Sequence, residues 1–482
     1  MSAPRFAVIG HPNKGKSSIV ATLAEDDSIH VSPMPGTTRK ARSFRFEIDG
    51  VLQYELIDTP GFQRARELLA WLEARAADAD SGAAERPAIV AEFVTAHRDD
   101  PRFADECELL SPLVEGAGIL YVVDGAKPYG REYELEMEVL RWTGRPRMAL
   151  INLIGEGDYR AEWREALGQY FSIVREFNAV FADFEKRLEL LDGFAALDES
   201  WRAPLRAAVA ELTRSRERRR QDTAAELASL LAEALTLTQQ RAVADDLEDE
   251  SRHALELELT DRLKAGISQR EQRWRRSVAD LYRHYELRDA QDSATARVID
   301  AELFAEETWQ LFGLSRQQLV VTGAVSGGVL GSGFDLLLGG SSLMLGASVG
   351  AVVGGVGAWF GGDELAKVRL LGQRLGGNTL QVGPVSDPNF PWVLLGRAWT
   401  YQHIVSERNH ARREALAFDL TQVRHQVDQL PGTLRRKLAR CFTRLSRDGQ
   451  SAEILAELTE LLDEVLQHDP ASDPSTATGS QD

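Results

Sequence analysis

Nine consecutive residues, Gly10-His11-Pro12-Asn13-Lys14-Gly15-Lys16-Ser17-Ser18, constrain this chain more than any other stretch. They match G-x-x-x-x-G-K-[ST] in full. The apolar run Phe6-Ala7-Val8-Ile9 precedes them and a segment able to be helical follows, which is the strand–loop–helix setting the pattern requires. Gly10 and Gly15 let the backbone curl so that successive N–H groups point at an anion. Lys16 places a point charge between the outer phosphates, and Ser17 offers a hydroxyl to Mg²⁺. The helix start adds the positive end of its dipole. Gly10, Asn13, Lys14, Gly15, Lys16, Ser17 and Ser18 are therefore the expected phosphate contacts.

A chain of 482 residues is too long for one ordinary domain and has ample apolar content for two or three cores. Its 74 acidic against 56 basic residues give a formal charge of −18, which disfavours sequence-independent binding to nucleic acid. DNA is accordingly not an expected partner. The two cysteines, Cys107 and Cys441, lie far apart and read as packing residues, and the first residues enter a strand with no charged-then-apolar leader. Both points lead to a cytoplasmic expectation.

After the loop and its helix, the turn-rich segment Val31-Ser32-Pro33-Met34-Pro35-Gly36-Thr37-Thr38-Arg39 reads as a functional loop. Two alternating runs follow, Ser43 to Ile48 and Leu52 to Ile57, joined by a turn containing Asp49-Gly50, a strong hairpin signal. The second run ends in Asp58-Thr59-Pro60-Gly61. An acidic residue at a strand tip beside a phosphate loop can hold Mg²⁺ through water, and the Gly61 N–H can reach a terminal phosphate. Arg64 to Ala77 and Ala88 to His97 then read as helices of an insertion spanning about 62–115. A buried strand run over 118–124, a helix over Glu132 to Trp142, and strands over Arg147 to Ile151 and Phe171 to Phe177 follow. This alternation predicts an α/β P-loop domain over 1–195, with a mostly parallel sheet and helices on both faces.

These motifs resemble the translation-factor-related GTPases of the Era, EngA and TrmE type. GHPNKGKSS looks like their first motif, PGTTR like their first switch and DTPG like their second. The resemblance implies that Thr38, with Thr37 as the alternative, completes the Mg²⁺ shell. It also implies that Asp58 is the outer-shell metal partner, that Gly61 senses the γ-phosphate, and that Lys16, Thr38 and Gly61 form the catalytic set. Relatives lacking a catalytic glutamine after DTPG carry a hydrophobic residue there, and this chain has Phe62. In them an asparagine matching Asn13 helps to bind a monovalent cation, so the resemblance implies potassium stimulation; a turn residue is the plain alternative for Asn13. The base-reading motif N-K-x-D is only partly present, as Asn152-Leu153-Ile154-Gly155. Asn152 is kept, Leu153 and Gly155 replace the lysine and aspartate, and Asp158 is the nearest carboxylate that could swing in. Phe177-Asn178-Ala179 stands where S-A-K is usual.

Beyond about Val180 the pattern becomes long helical segments, giving a mainly α-helical domain over 196–466 and a disordered tail over 467–482, rich in Ser, Thr, Pro and Asp. Thr223 with Glu226 reads as a capping box, and further amphipathic runs cover Ala254 to Tyr285, Arg412 to Leu430 and Ala452 to Leu466. The second of these admits a bundle or a self-associating coil, and hence a homodimer. Arg374 to Val393 reads as a loop-rich connection, and His403 and His410 read as structural. The layout as a whole resembles bacterial predicted GTPases with a C-terminal domain of unknown function.

Residues 319–360 form a Gly-rich apolar hairpin with one charge, Asp335, and glycines spaced by four at Gly323, Gly327, Gly331 and at Gly346, Gly350, Gly354. Its arms of 15 and 18 residues fall short of the roughly 20 that span a bilayer. Three arrangements fit: a hairpin buried in the helical domain, a conditionally inserted membrane element, and a two-pass anchor. Basic clusters at Arg214 to Arg220, Arg273 to Arg276 and Arg435 to Lys437 read as solvated helix faces, or as guides to an anionic membrane surface on the inner face of the cytoplasmic membrane.

The expected function is a GTP/GDP-binding switch and Mg²⁺-dependent hydrolase acting on a helical effector domain. The alternatives are a membrane-associating switch, a degenerate binding scaffold, and an ATP-using relative. RNA is common among Era-type relatives, but no RNA-binding module follows the nucleotide domain in this sequence.

Overall fold

The computed structural model describes residues 3–25, 40–78, 82–244, 247–285, 287, 303, 366–373, 377–411 and 426–468. Thr37 and Thr38, the hairpin 319–360, most of the repeat within 412–430, and the tail from 469 onward lie outside the described residues. The chain divides into two compact units. One comprises residues 1–217 with 283–286 and 407–414; the other comprises 218–282, 287–406 and 415–482.

The first unit begins with β1 (Arg5–Ile9) and α1 (Lys16–Ala24), then the hairpin β2 (Arg42–Ile48) and β3 (Val51–Asp58). Asp49 and Gly50 both have positive φ, at 51° and 75°, as the tight turn between twisted strands demands. Three helices follow, α2 (Ala65–Asp78), α3 (Arg86–His97) and α4 (Ala104–Val114). The third is absent from the sequence expectation; its apolar stripe is short and holds a carboxylate and a proline. The unit continues with β4 (Gly118–Asp124), α5 (Glu132–Trp142), β5 (Arg147–Asn152), α6 (Arg160–Leu167), β6 (Ile173–Glu176) and α7 (Phe184–Ala195).

The strands form one six-stranded sheet in the order β2-β3-β1-β4-β5-β6, in which β2 is antiparallel to β3 and every other pairing is parallel. Period-two alternation divides the strand side chains between two cores. Ala7, Ile9, Ile57, Ile119, Tyr121 and Val123 pack beneath α2 to α6. Phe6, Val8, Leu56, Leu120 and Val122 pack beneath α1 and α7 on the other face. The P-loop α/β fold is thus present, and the insertion helices pack on one face of its sheet.

The long helix α8 (Glu199–Thr236) corrects one local expectation. Thr223 caps nothing, because it lies in the helix interior with its hydroxyl donating to the Arg219 carbonyl, while Glu226 accepts from Ser277.

The second unit is mainly helical, with α9 (Asp249–Leu281), α10 (Phe390–Glu407), α11 (Gly432–Asp448) and α12 (Ala452–Gln467). It also holds a three-stranded antiparallel sheet of β7 (Gln239–Val243), β8 (Ala366–Gln373) and β9 (Gly377–Val385) in the order β7-β9-β8. The stretch expected as a loop-rich connection is therefore largely a strand and a helix. Leu380 and Val382 alternate into the core, a signal that neighbouring Gly and Pro obscure in the sequence. In the interior of this unit Arg397 and Glu271 form a fully buried ion pair at 3.1 Å.

Candidate functional site

The phosphate loop runs from the tip of β1 into α1. Gly10 has φ 151°, and a Cβ there would lie 2.3 Å from the Val122 carbonyl oxygen. Gly15 has φ 80° and would meet the Asn152 side chain at 2.3 Å. A side chain at either position is strained, by contact and by the positive φ. Asn13 takes the left-handed conformation at φ 61°, one that asparagine tolerates better than most residues.

Lys16 is buried, and its ammonium donates to the carbonyls of Gly10 and His11, each at 3.1 Å. Burial lowers its pKa, and attraction to Asp58 and Glu136 opposes that shift. Ser17 Oγ donates to Asp58 Oδ2 at 2.8 Å, so the hydroxyl and the carboxylate that the motifs name converge across 41 residues of sequence. This pair of oxygen donors, one a buried carboxylate, suits a hard cation such as Mg²⁺. Among the described residues no cluster of three or more metal-ligating His, Cys, Asp or Glu side chains occurs.

Lys14 departs from the simple expectation. Its side chain is buried, 3.9 Å from Asp124 and above the ring of Tyr133, and burial lowers its pKa. The Lys14 ammonium is thus engaged within the protein. Ser18 lies in the first turn of α1.

The strand tips carry a second layer that motif reading does not reveal. His11 Nδ1 lies 2.9 Å from Glu136 Oε1, and the Tyr121 hydroxyl donates to Glu136 Oε2 at 2.8 Å. Glu136 is 3% exposed. Burial beside Glu136 raises the Tyr121 pKa well above its ordinary value. The signal available in the sequence is a glutamate in phase with Tyr133, Met137 and Leu140 on the apolar face of a helix.

Gly61 packs directly on the phosphate loop; a Cβ there would lie 2.7 Å from Pro12. Phe62, next in the chain, is 2% exposed and belongs to the core that the sheet face shares with the insertion helices, α5 and α6. Its ring therefore fills that core instead of lining a solvent-facing site.

At the base end, Asn152 Nδ2 donates to the Lys14 carbonyl at 3.1 Å and Oδ1 accepts the Ala179 N–H at 3.4 Å. Asn152 is thus a strut between the phosphate loop and the segment after β6, which Thr22 also grips through the Ala179 carbonyl at 2.7 Å. Asp158 is exposed and held in a two-point pair by Arg160, at 2.8 and 2.6 Å, which lowers its pKa to about 2. At Gly155 a Cβ would meet only Ala126 Cβ, at 3.5 Å. Asn409, from the segment that returns to this unit, donates to the carbonyls of Val180 and Ala182.

Cys107 and Cys441 are buried free thiols pushed up to about 11 by burial. His410 stacks on His284 with ring centroids 4.2 Å apart. The basic clusters are largely paired, Arg214 with Glu211, Arg216 with Glu407, Arg220 with Asp463, and Arg273 with Glu233. No helix among the described residues is long and apolar enough to cross a membrane.

Residues 5–152 match the family model described as 50S ribosome-binding GTPase, and residues 164–464, more than half of the chain, match the domain of unknown function DUF3482. Among curated relatives, GTPase Der of Pseudothermotoga lettingae is 26% identical over 212 residues, covering 44% of this chain and 42% of that protein. GTPase Der of Azoarcus is 48% identical over 63 residues, covering 13% and 14%. The chain thus spans less than half the length of the curated relatives it matches. Among solved structures, Era in complex with MgGDPNP and nucleotides 1506-1542 of 16S ribosomal RNA is 18% identical, covers 37% of this chain and 52% of that one, and has a TM-score of 0.25. A single-substitution variant of Aquifex aeolicus Era bound to GDP.AlF4- has 18% identity, the same coverage of 37% and 52%, and a TM-score of 0.24. The chain belongs to the DUF3482 family and carries that domain behind a P-loop GTPase domain.

Proposed function

We propose that this protein binds GTP and GDP and hydrolyses GTP at the β–γ bond, using the cycle to switch the state of its helical domain. The convergence of Lys16, Ser17 and Asp58 on one phosphate loop carries this reading. Lys16, released from the Gly10 and His11 carbonyls, would place its charge on the outer phosphate oxygens. The backbone N–H groups of residues 13–18 would cradle the β-phosphate, and the Gly61 N–H would meet the γ-phosphate. Ser17 and Asp58, with Thr38 from the first switch, would hold Mg²⁺. That ion, when bound, neutralises charge on the β and γ oxygens. Phe62 is committed to a core, so water orientation falls to another group; a monovalent cation at Asn13 is the candidate implied by the family resemblance. Asn409, which follows α10 in sequence, holds the segment after β6 through hydrogen bonds to the carbonyls of Val180 and Ala182.

A second reading concerns the base. Asp158 is engaged by Arg160 and Gly155 supplies no carboxylate, so the triphosphate is read more closely than guanine, and ATP competes. Binding at a ribosome or at a membrane surface finds no carrying observation in the geometry. Calorimetric titration of GTP, GDP and ATP, with phosphate release measured alongside, tests both readings. Absence of binding to all three nucleotides removes the first, and at least about 1000-fold preference for GTP over ATP removes the second.

A further inference from the structure

Four consecutive residues after the second-switch motif's proline are pinned at three points. Gly61 lies against Pro12 of the phosphate loop, and Phe62 is buried in the core that the insertion helices share with the sheet. The N–H groups of Gln63 and Arg64 both donate to Glu106 Oε1, at 2.9 and 2.6 Å. Glu106 stands on the insertion helix α4, 43 residues from Gln63 in sequence, and is 0% exposed. Its other oxygen, Oε2, is buried without a hydrogen-bond partner among the described residues.

A carboxylate so placed is costly, because desolvation of Oε2 is not offset by a partner. Its neighbours on the same face, Leu109, Leu110 and Leu113, are fully buried, so packing alone is better served by leucine. Gln63 and Arg64 are exposed residues, while their N–H groups meet Glu106 in a part-buried setting. What Glu106 adds is therefore direction: it fixes the main chain that leaves Gly61. Two residues further along the same helix, Glu108 Oε2 accepts the Ala41 N–H at 3.0 Å, at the entry to β2. The insertion helix thereby ties the chain on both sides of the β2–β3 hairpin.

We propose that Glu106 is a positioning residue for the terminal phosphate: it holds Gln63 and Arg64 so that the Gly61 N–H is aimed at the γ-position, giving preference for triphosphate over diphosphate. This rests on the proposed nucleotide reading and extends it to a helix outside the motifs. The insertion then acts as a resident support for the second switch.

The test is the affinity of the full-length chain, with Mg²⁺, for GDP and for a non-hydrolysable GTP analogue, in wild type, Glu106→Leu and Glu106→Gln. Glu106→Leu fills the same space, relieves the unpartnered Oε2 but leaves two N–H groups without their acceptor, and is expected to melt within a few degrees of wild type, while the analogue-to-GDP affinity ratio falls about tenfold through weaker analogue binding. Glu106→Gln keeps a carbonyl oxygen for both N–H groups and is expected to hold the ratio within about threefold. A purely structural role would not separate melting temperature from the ratio in this way. An unchanged ratio in folded Glu106→Leu, or equal weakening of both nucleotides, overturns the assignment. A wild-type chain that binds neither nucleotide removes the underlying reading, and this inference with it.

Discussion

At the phosphate end of the site glycine is imposed by contact, and at the base end it is not. Gly10, Gly15 and Gly61 each lie where a Cβ would press to 2.7 Å or closer on another atom, against Val122, Asn152 and Pro12 respectively. Gly155, where a guanine-reading aspartate would stand, has 3.5 Å to its nearest neighbour and no unusual φ. The difference teaches where the fold has fixed its chemistry. The chain is packed tightly around the phosphate loop, so little can vary there, whereas the base end retains room for a side chain that the sequence does not supply.

The largest effect expected from this contrast is at Lys16. Lys16→Ala should lower GTP hydrolysis by at least about 100-fold, because it removes the cation proposed to meet the outer phosphate oxygens. Phosphate release checks it, and retention of half the wild-type rate would break the phosphate half of the comparison. Next is Gly15→Ala, which sets a Cβ at φ 80° against Asn152 and should cost about 1–3 kcal/mol. A thermal melt reads this as a fall of several degrees. Gly155→Asp should do the reverse and be tolerated, raising the ratio of GTP to ATP affinity about tenfold or more, with Asp158→Ala leaving that ratio unchanged. Competition between the two nucleotides measures it; no gain in Gly155→Asp would show that the base end is closed for another reason. The smallest effect is the cation: hydrolysis in potassium should exceed that in sodium by about a few-fold to tenfold if Asn13 supports a monovalent ion. Equal rates would return Asn13 to a turn residue alone.

How far the sequence could be read follows the same line. That Gly10, Gly15, Lys16, Ser17, Asp58 and Gly61 come together was legible because the motifs set those residue types at fixed local spacing around one strand–loop–helix. The parallel sheet was legible because buried strands such as 118–124 are uninterrupted apolar runs. Glu106, Glu108 and Glu136 were not, since nothing local records that a glutamate on a helix will meet a loop forty or more residues away. Thr223 shows the opposite error: a local capping pattern was overridden when the helix ran on through it. In β9 the alternation of Leu380 and Val382 was present but too short, beside Gly and Pro, to stand out from a loop.

Phe62 has a consequence for anyone seeking a minimal nucleotide module. Its ring is buried in a core to which Leu68, Leu72, Phe93 and Leu110 of the insertion all contribute. Excising residues 64–115 to obtain a shorter domain would remove those side chains from the core that holds the ring and uncover apolar surface next to Gly61. The three helices are thus no removable cassette, and a trimmed domain would need Phe62 replaced by a polar residue before its solubility or its nucleotide affinity could be compared with the parent.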